Sequence, residues 1–157
     1  MIFKSIYTKM FLMMCLLFYS RSSIAQASNP LTSIDIFFEG FHLRDSLLIE
    51  SVVTADAQLF RTGNSEEKIP FGEAMSMKKF IRMVTSRPEK PIWEERQGEP
   101  VMHQDQNLAV VWVPVRFYLD QKVLHCGYNL FTLFWNRNTW LITQVSDTET
   151  MNCTVDH

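Results

Sequence analysis

The stretch LHCGYNLFTLFW, Leu124 to Trp135, alternates like a β-strand, and counting by twos places His125, Asn129, Phe131 and Leu133 on one face. Cys126, Tyr128, Leu130 and Phe134 share the other face. A histidine and an asparagine on an otherwise apolar face each need a hydrogen-bond partner if they are buried, and a packed core gains nothing from them. A cavity wall does: an apolar lining with a few convergent polar groups is what holds a small molecule. If Asp120 and Gln121 form a two-residue turn, Leu119 pairs with Lys122, which sets Arg116 opposite His125 and Trp112 opposite Asn129. If residues 136–139 form the next turn, Trp135 pairs with Trp140, Leu133 with Ile142 and Phe131 with Gln144. One face then collects Trp112, Arg116, His125, Asn129 and Phe131 as candidate ligand contacts, with Phe41 able to reach the mouth from a helix. A bulge would move part of this set to the other face.

His125 is either a polar ligand contact or a strand histidine bonded to a neighbour. Arg116 either grips an anion in a bidentate fashion or pairs with Glu94 or Glu95. Asp45 and Asp56 lie at the ends of a short helical segment, where capping accounts for them, and solvation of a helix end accounts for His42. Nothing else points to chemistry. There is no Gly-x-Ser-x-Gly elbow, no glycine-rich phosphate loop and no His/Glu spacing for zinc, so neither a metal nor another cofactor is expected.

The elements that must position these residues follow from the rest of the chain. Lys4 and Lys9, the apolar run MFLMMCLLFY and AQA ending at Ala27 have the layout of a secretory signal peptide. The apolar run is too short for a membrane span, so a single exported domain over residues 28–157 is expected, periplasmic or secreted and free of the membrane after cleavage. That domain keeps 12 basic residues against 17 acidic, a net charge of −5, which argues against a nucleic-acid partner. Its two cysteines, Cys126 and Cys153, are a disulfide candidate in an oxidising compartment.

Asn29 and Pro30 open a helix whose apolar positions are Leu31, Ile34, Phe37, Phe38 and Phe41. A second short helix runs to about Val52, AQLFRT reads as a strand, residues 63–72 as a loop, and SMKKFIRMVTS as a third helix. IWEERQ, NLAVVWVPVRFYL, the opening stretch and TWLITQVS then form an antiparallel meander of three or four strands. The fold class is α+β, with helices over one face of a curled sheet.

The segments FFEGFHLRDSLLIESVVTADAQLF and LAVVWVPVRFYLDQKVLHCGYNLFTLFWNRNTWLITQVSDT resemble the nuclear transport factor 2-like superfamily, and within it the exported bacterial branch described as lumazine-binding or SnoaL-like. The resemblance covers roughly residues 30–148. It implies a cone in which three helices fill the concavity of a bent sheet, with a pocket at the open end and a homodimer formed through the convex face. Val111, Val113, Val115, Phe117, Leu130 and Phe134 are the apolar residues expected on that convex face. Ketosteroid isomerases of this superfamily use a pocket carboxylate as base with an acid nearby. At the sheet position where they present an acid, this chain offers Phe131 or a near neighbour, which argues against isomerase chemistry. The expected function is binding of an unknown small molecule. The alternatives are an isomerase, cyclase or hydrolase using His125 with a carboxylate, and a structural homodimer with a filled cavity.

Overall fold

The computed structural model describes residues 28–64 and 69–153, so the expected signal peptide lies outside the described residues. Helix α1 spans Pro30–Leu43; Asn29 caps it by accepting the Leu31 N–H at 2.9 Å, and Arg44 ends it in the left-handed conformation. Asp45 starts α2, Ser46–Ser51, by accepting the N–H groups of Leu47 and Leu48, so its carboxylate does cap a helix. Gly40, costly inside a helix, is explained by contact: a Cβ there would meet Ile49 Cγ1 at 2.7 Å and the Asp45 carbonyl at 3.0 Å. Helix α3, Met77–Ser86, starts at Ser76 and buries Met77, Phe80, Ile81 and Val84.

Among the described residues, seven strands form one curved, unclosed, mixed sheet: β1 Val53–Asn64, β2 Pro70–Ser76, β3 Trp93–Gln97, β4 Val101–Asp105, β5 Leu108–Leu119, β6 Lys122–Trp135 and β7 Trp140–Thr148. The order is β2-β1-β7-β6-β5-β3, with β4 sharing the β5 edge with β3. The sheet is therefore larger than a three- or four-stranded meander. Residues 70–76, of which 70–72 are read from sequence as loop and Ser76 as a helix start, pair with β1, and β1 runs parallel to β7.

Both hairpin ends pair as expected, Leu119 with Lys122 and Trp135 with Trp140. Two bulges then change the register. Tyr118 pairs with Val123 but Phe117 with His125, leaving Leu124 as an extra residue; Leu133 pairs with Ile142 but Thr132 with Gln144, leaving Thr143 as another. Each extra residue inverts which side chains of one strand share a face with the next. Val111, Val113, Val115 and Phe117 consequently lie on the concave side and are buried, not on the convex face. Trp112 and Arg116 turn to the convex side, where Trp112 is 41% exposed and stacks on Tyr128 at 4.8 Å. Leu130 pairs with Trp112 and Phe134 with Leu108, so these two do lie on the convex side. On β7 the same inversion buries Val145 and leaves Gln144 outside.

The concave face closes on α1. Phe37 and Phe38 each meet the Phe131 ring edge-on at 5.8 Å, and Phe37 and Phe41 stack on Phe80 at 6.0 and 6.2 Å. Ser33, fully buried in this layer, donates to the Trp140 carbonyl at 2.7 Å and fixes α1 along β7. Arg87 donates to the carbonyls of Phe41 and His42 at 2.7 and 3.3 Å, tying the end of α1 to the segment leading into β3.

The C-terminal segment is pinned twice. Cys126 and Thr150 exchange backbone hydrogen bonds of 3.0 and 2.9 Å, and Cys126 is disulfide-bonded to Cys153, 27 residues on. A loop of that length corresponds to about 3–4 kcal/mol in the chain-entropy account.

The inverted register separates two aromatic residues that the sequence groups together. Phe131, with no exposed surface at the centre of the ring cluster, should cost about 3–5 kcal/mol when replaced by alanine. Trp112→Ala should cost the fold of the single chain less than Phe131→Ala, because the Trp112 ring lies on the convex face and is 41% exposed. Urea denaturation of both variants checks the order.

Candidate functional site

At the open end of the cone, between α1, α3 and the concave sheet, lies a cavity of about 460 Å³. Its walls are aromatic. Trp93 on β3 meets Phe117 on β5 edge-on at 5.7 Å, and Phe117 stacks on His125 of β6 at 4.9 Å, a row crossing three strands. Phe37, Phe38 and Phe41 of α1 and Phe80 of α3 supply the opposite side.

The polar groups collect on β1, β3, β6 and β7. Glu95 shares its strand face with Trp93 and points into the cavity, where Asn129 Nδ2 donates to its Oε1 at 2.7 Å. Asn129 is buried and pairs across the ladder with Asp147. Arg61 on β1 donates from Nε and Nη2 to Asp147 Oδ2, both at 3.1 Å, and its Nε lies 3.9 Å from Glu149. Asp147 Oδ1 is buried without a hydrogen-bond partner among the described residues. His42 backs the site: its Nε2 accepts the backbone N–H of Glu95 at 3.0 Å, which fixes the β3 strand against the end of α1.

Burial in this aromatic environment governs the charges. Glu95 keeps some reachable surface because it lines the cavity, but protein surrounds that surface, and desolvation outweighs residual contact with water. Its pKa is pushed up to about 7 by desolvation, against the opposing effect of the Asn129 hydrogen bond and with reinforcement from the nearby Asp147 charge. Burial also raises Asp147, which Arg61 partly offsets. His125 and His42 are both lowered, again by burial first, and so favour the neutral imidazole.

Of the residues singled out from the sequence, the structure brings His125, Asn129 and Phe41 to the cavity. Phe131 lies in the core beneath it, and Trp112 and Arg116 are on the other side of the sheet. Glu94 pairs with Arg96 at 2.7 Å. Sequence reasoning missed Glu95, Arg61 and Asp147. Glu95 had a usable signal, since strand alternation puts it on the same face as Trp93. Asp147 had none, because the Thr143 bulge reverses its parity.

This architecture is the nuclear transport factor 2-like fold, and the likeness to solved structures is broad. A nuclear transport factor 2-like protein from Cytophaga hutchinsonii aligns with a TM-score of 0.58 and 15% identity, covering 76% of this chain and 94% of that one. A candidate ketosteroid isomerase from Parabacteroides distasonis aligns with a TM-score of 0.57 and 16% identity, over 83% and 95%. A nuclear transport factor 2-like protein of unknown function from Shewanella baltica aligns with a TM-score of 0.55 and 11% identity, over 76% and 90%. No protein-family model and no curated protein matches the sequence.

Because Glu95 is harder to ionise folded than unfolded, the folded state holds its proton more tightly between the ordinary carboxylate pKa and about 7. Its contribution to stability is therefore best at low pH and is lost as pH rises through that window. Glu95→Gln keeps an acceptor for Asn129 and removes the titration. The variant should gain on the wild-type protein between pH 5 and 8, by at most about 3 kcal/mol. Chemical denaturation at the two pH values checks the sign.

Proposed function

We propose that the protein is an exported small-ligand-binding domain that holds one partly apolar molecule in the open end of the cone. The observation that carries this reading is the cavity itself: about 460 Å³, walled by aromatic rings, with a hydrogen-bonded polar cluster at one side. That volume is within the range of sites for single small molecules, and the mixture of apolar wall and few polar groups is typical of them. A filled cone is disfavoured by the same space. The Cys126–Cys153 bond fits an oxidising compartment, as an exported chain of the lumazine-binding or SnoaL-like kind would meet.

A second reading has its own support. A carboxyl group titrating near 7 inside an aromatic pocket is suited to take or give a proton at neutral pH, so acid–base chemistry of an isomerase or cyclase would use Glu95, with His125 and Asn129 as neighbouring polar groups.

The partner of the convex face in this reading is a second copy. Val101, Leu108, Trp112 and Phe134 are exposed there beside Tyr128 and Leu130. An apolar patch of this composition is one that soluble chains tend to cover. The interface rests on Trp112 and Phe134, with the four inward-facing β5 residues playing no part.

Two measurements test these points. N-phenyl-1-naphthylamine, a neutral apolar fluorophore, should bind once per chain, and Leu124→Trp at the cavity mouth should weaken it about tenfold or more. Absence of saturable binding sinks the cavity reading. Sedimentation at micromolar concentration should show a dimer that Trp112→Lys converts to monomer; a wild-type monomer removes the partner.

A further inference from the structure

The polar side of the cavity is richer in acceptors than in donors. Among the described residues, three carboxylates line it, those of Glu95, Asp147 and Glu149, against one permanently charged lining cation, Arg61. Arg61 directs two of its N–H groups at a single oxygen of Asp147 and approaches Glu149 with one of them, so its charge is already engaged. The amide of Asn129 is committed to Glu95. On the acceptor side, Asp147 Oδ1 is buried without a partner, and Asn129 is the only side-chain hydrogen-bond partner of Glu95 among the described residues. Glu95, which lines the cavity with one side-chain donor, is left short of partners, a shortage that a ligand bearing N–H groups would relieve.

The walls favour the same chemistry. Trp93, Phe117 and the α1 phenylalanines line the same cavity as these carboxylates and suit a ring-bearing body, while the faces of Phe41 and Trp93 already hold one cation, the Arg87 guanidinium, at 4.7 and 5.0 Å. A ligand carboxylate or phosphate would instead sit beside three acidic side chains, with Arg61 already held by two of them.

Resting on the reading of the cavity as a small-molecule site, we infer that its ligand is an amine: an apolar, ring-bearing body carrying a protonated nitrogen that donates to Glu95, with the carboxylates of Asp147 and Glu149 lining the same side. The body packs against Phe41, Phe80 and Trp93, and the ammonium faces β3 and β7. The pocket selects against anions of the same shape.

The test compares three compounds with one naphthyl body: 2-(2-naphthyl)ethylamine, 2-(2-naphthyl)ethanol and 3-(2-naphthyl)propionate, titrated calorimetrically into the protein near pH 8. The amine should bind about tenfold tighter than the alcohol, and the propionate more weakly than both. Glu95→Gln should lower amine affinity about tenfold while changing the alcohol by less than about threefold. Glu149→Gln, at a half-buried position, should reduce the amine by a smaller factor and serves if the first variant does not fold. A propionate or alcohol that equals the amine overturns the amine inference while leaving the cavity reading standing. An amine-to-alcohol ratio unchanged in both variants overturns it equally. If none of the three binds, the cavity reading fails and the inference falls with it.

Discussion

The structure depends on one packing problem: a helix that carries three phenylalanines on its inner side must be buried by a single sheet. A flat sheet would touch only part of that stripe. The sheet of this protein bends around it, so that Phe131 meets Phe37 and Phe38 from β6 while Phe80 stacks against Phe37 and Phe41 from α3. The bulges at Leu124 and Thr143 belong to the same solution, since an extra residue on one strand increases local twist and bend. The narrow end of the cone is filled by rings, and the wide end is left as space because α1 stops at Leu43, turned by Arg44 and capped anew at Asp45.

That geometry sets the electrostatics. Glu95 reaches the interior on a short edge strand held to α1 through His42, and Asn129 meets it from β6, so one hydrogen bond joins residues from separate strands at the cavity wall. Arg61 and Asp147 make an equivalent join between the parallel strands β1 and β7. In an aromatic enclosure of low polarity these contacts do not fully restore what water would have given the carboxylates, and burial therefore dominates the shifts of Glu95 and Asp147 alike.

Much of this was legible in the sequence where the signal is local. Asn29, Pro30 and Asp45 announce two helix starts, the phenylalanine spacing announces the buried stripe, and the two hairpin tips pair as strand alternation requires. The cysteine pair was legible too, and the cone followed from the resemblance to the nuclear transport factor 2-like superfamily. What could not be read was the register beyond the tips. Leu124 and Thr143 carry no mark of being extra residues, for neither a glycine nor a proline stands at either position. From that single uncertainty came the misplacement of Trp112, Arg116 and the β5 valines. Asp147 was lost for the same reason. Glu95 was overlooked differently: within WEERQ it looks like one of several solvated charges, although only Glu94 and Arg96 pair outside.

The bulge at Leu124 has a consequence for how such a pocket changes over time. Pleating makes the strand a two-phase object, and one extra residue near the 120–121 turn decides which phase faces inward. Deleting that residue would turn Arg116 to the wall in place of Val115 and Phe117 without altering any other side chain. A length change of one near a hairpin tip thus rewrites a chemical lining that would otherwise take several point substitutions. Distant chains sharing this architecture can consequently diverge in what they hold by a single-codon insertion or deletion, at a locus where sequence comparison sees only loop variation.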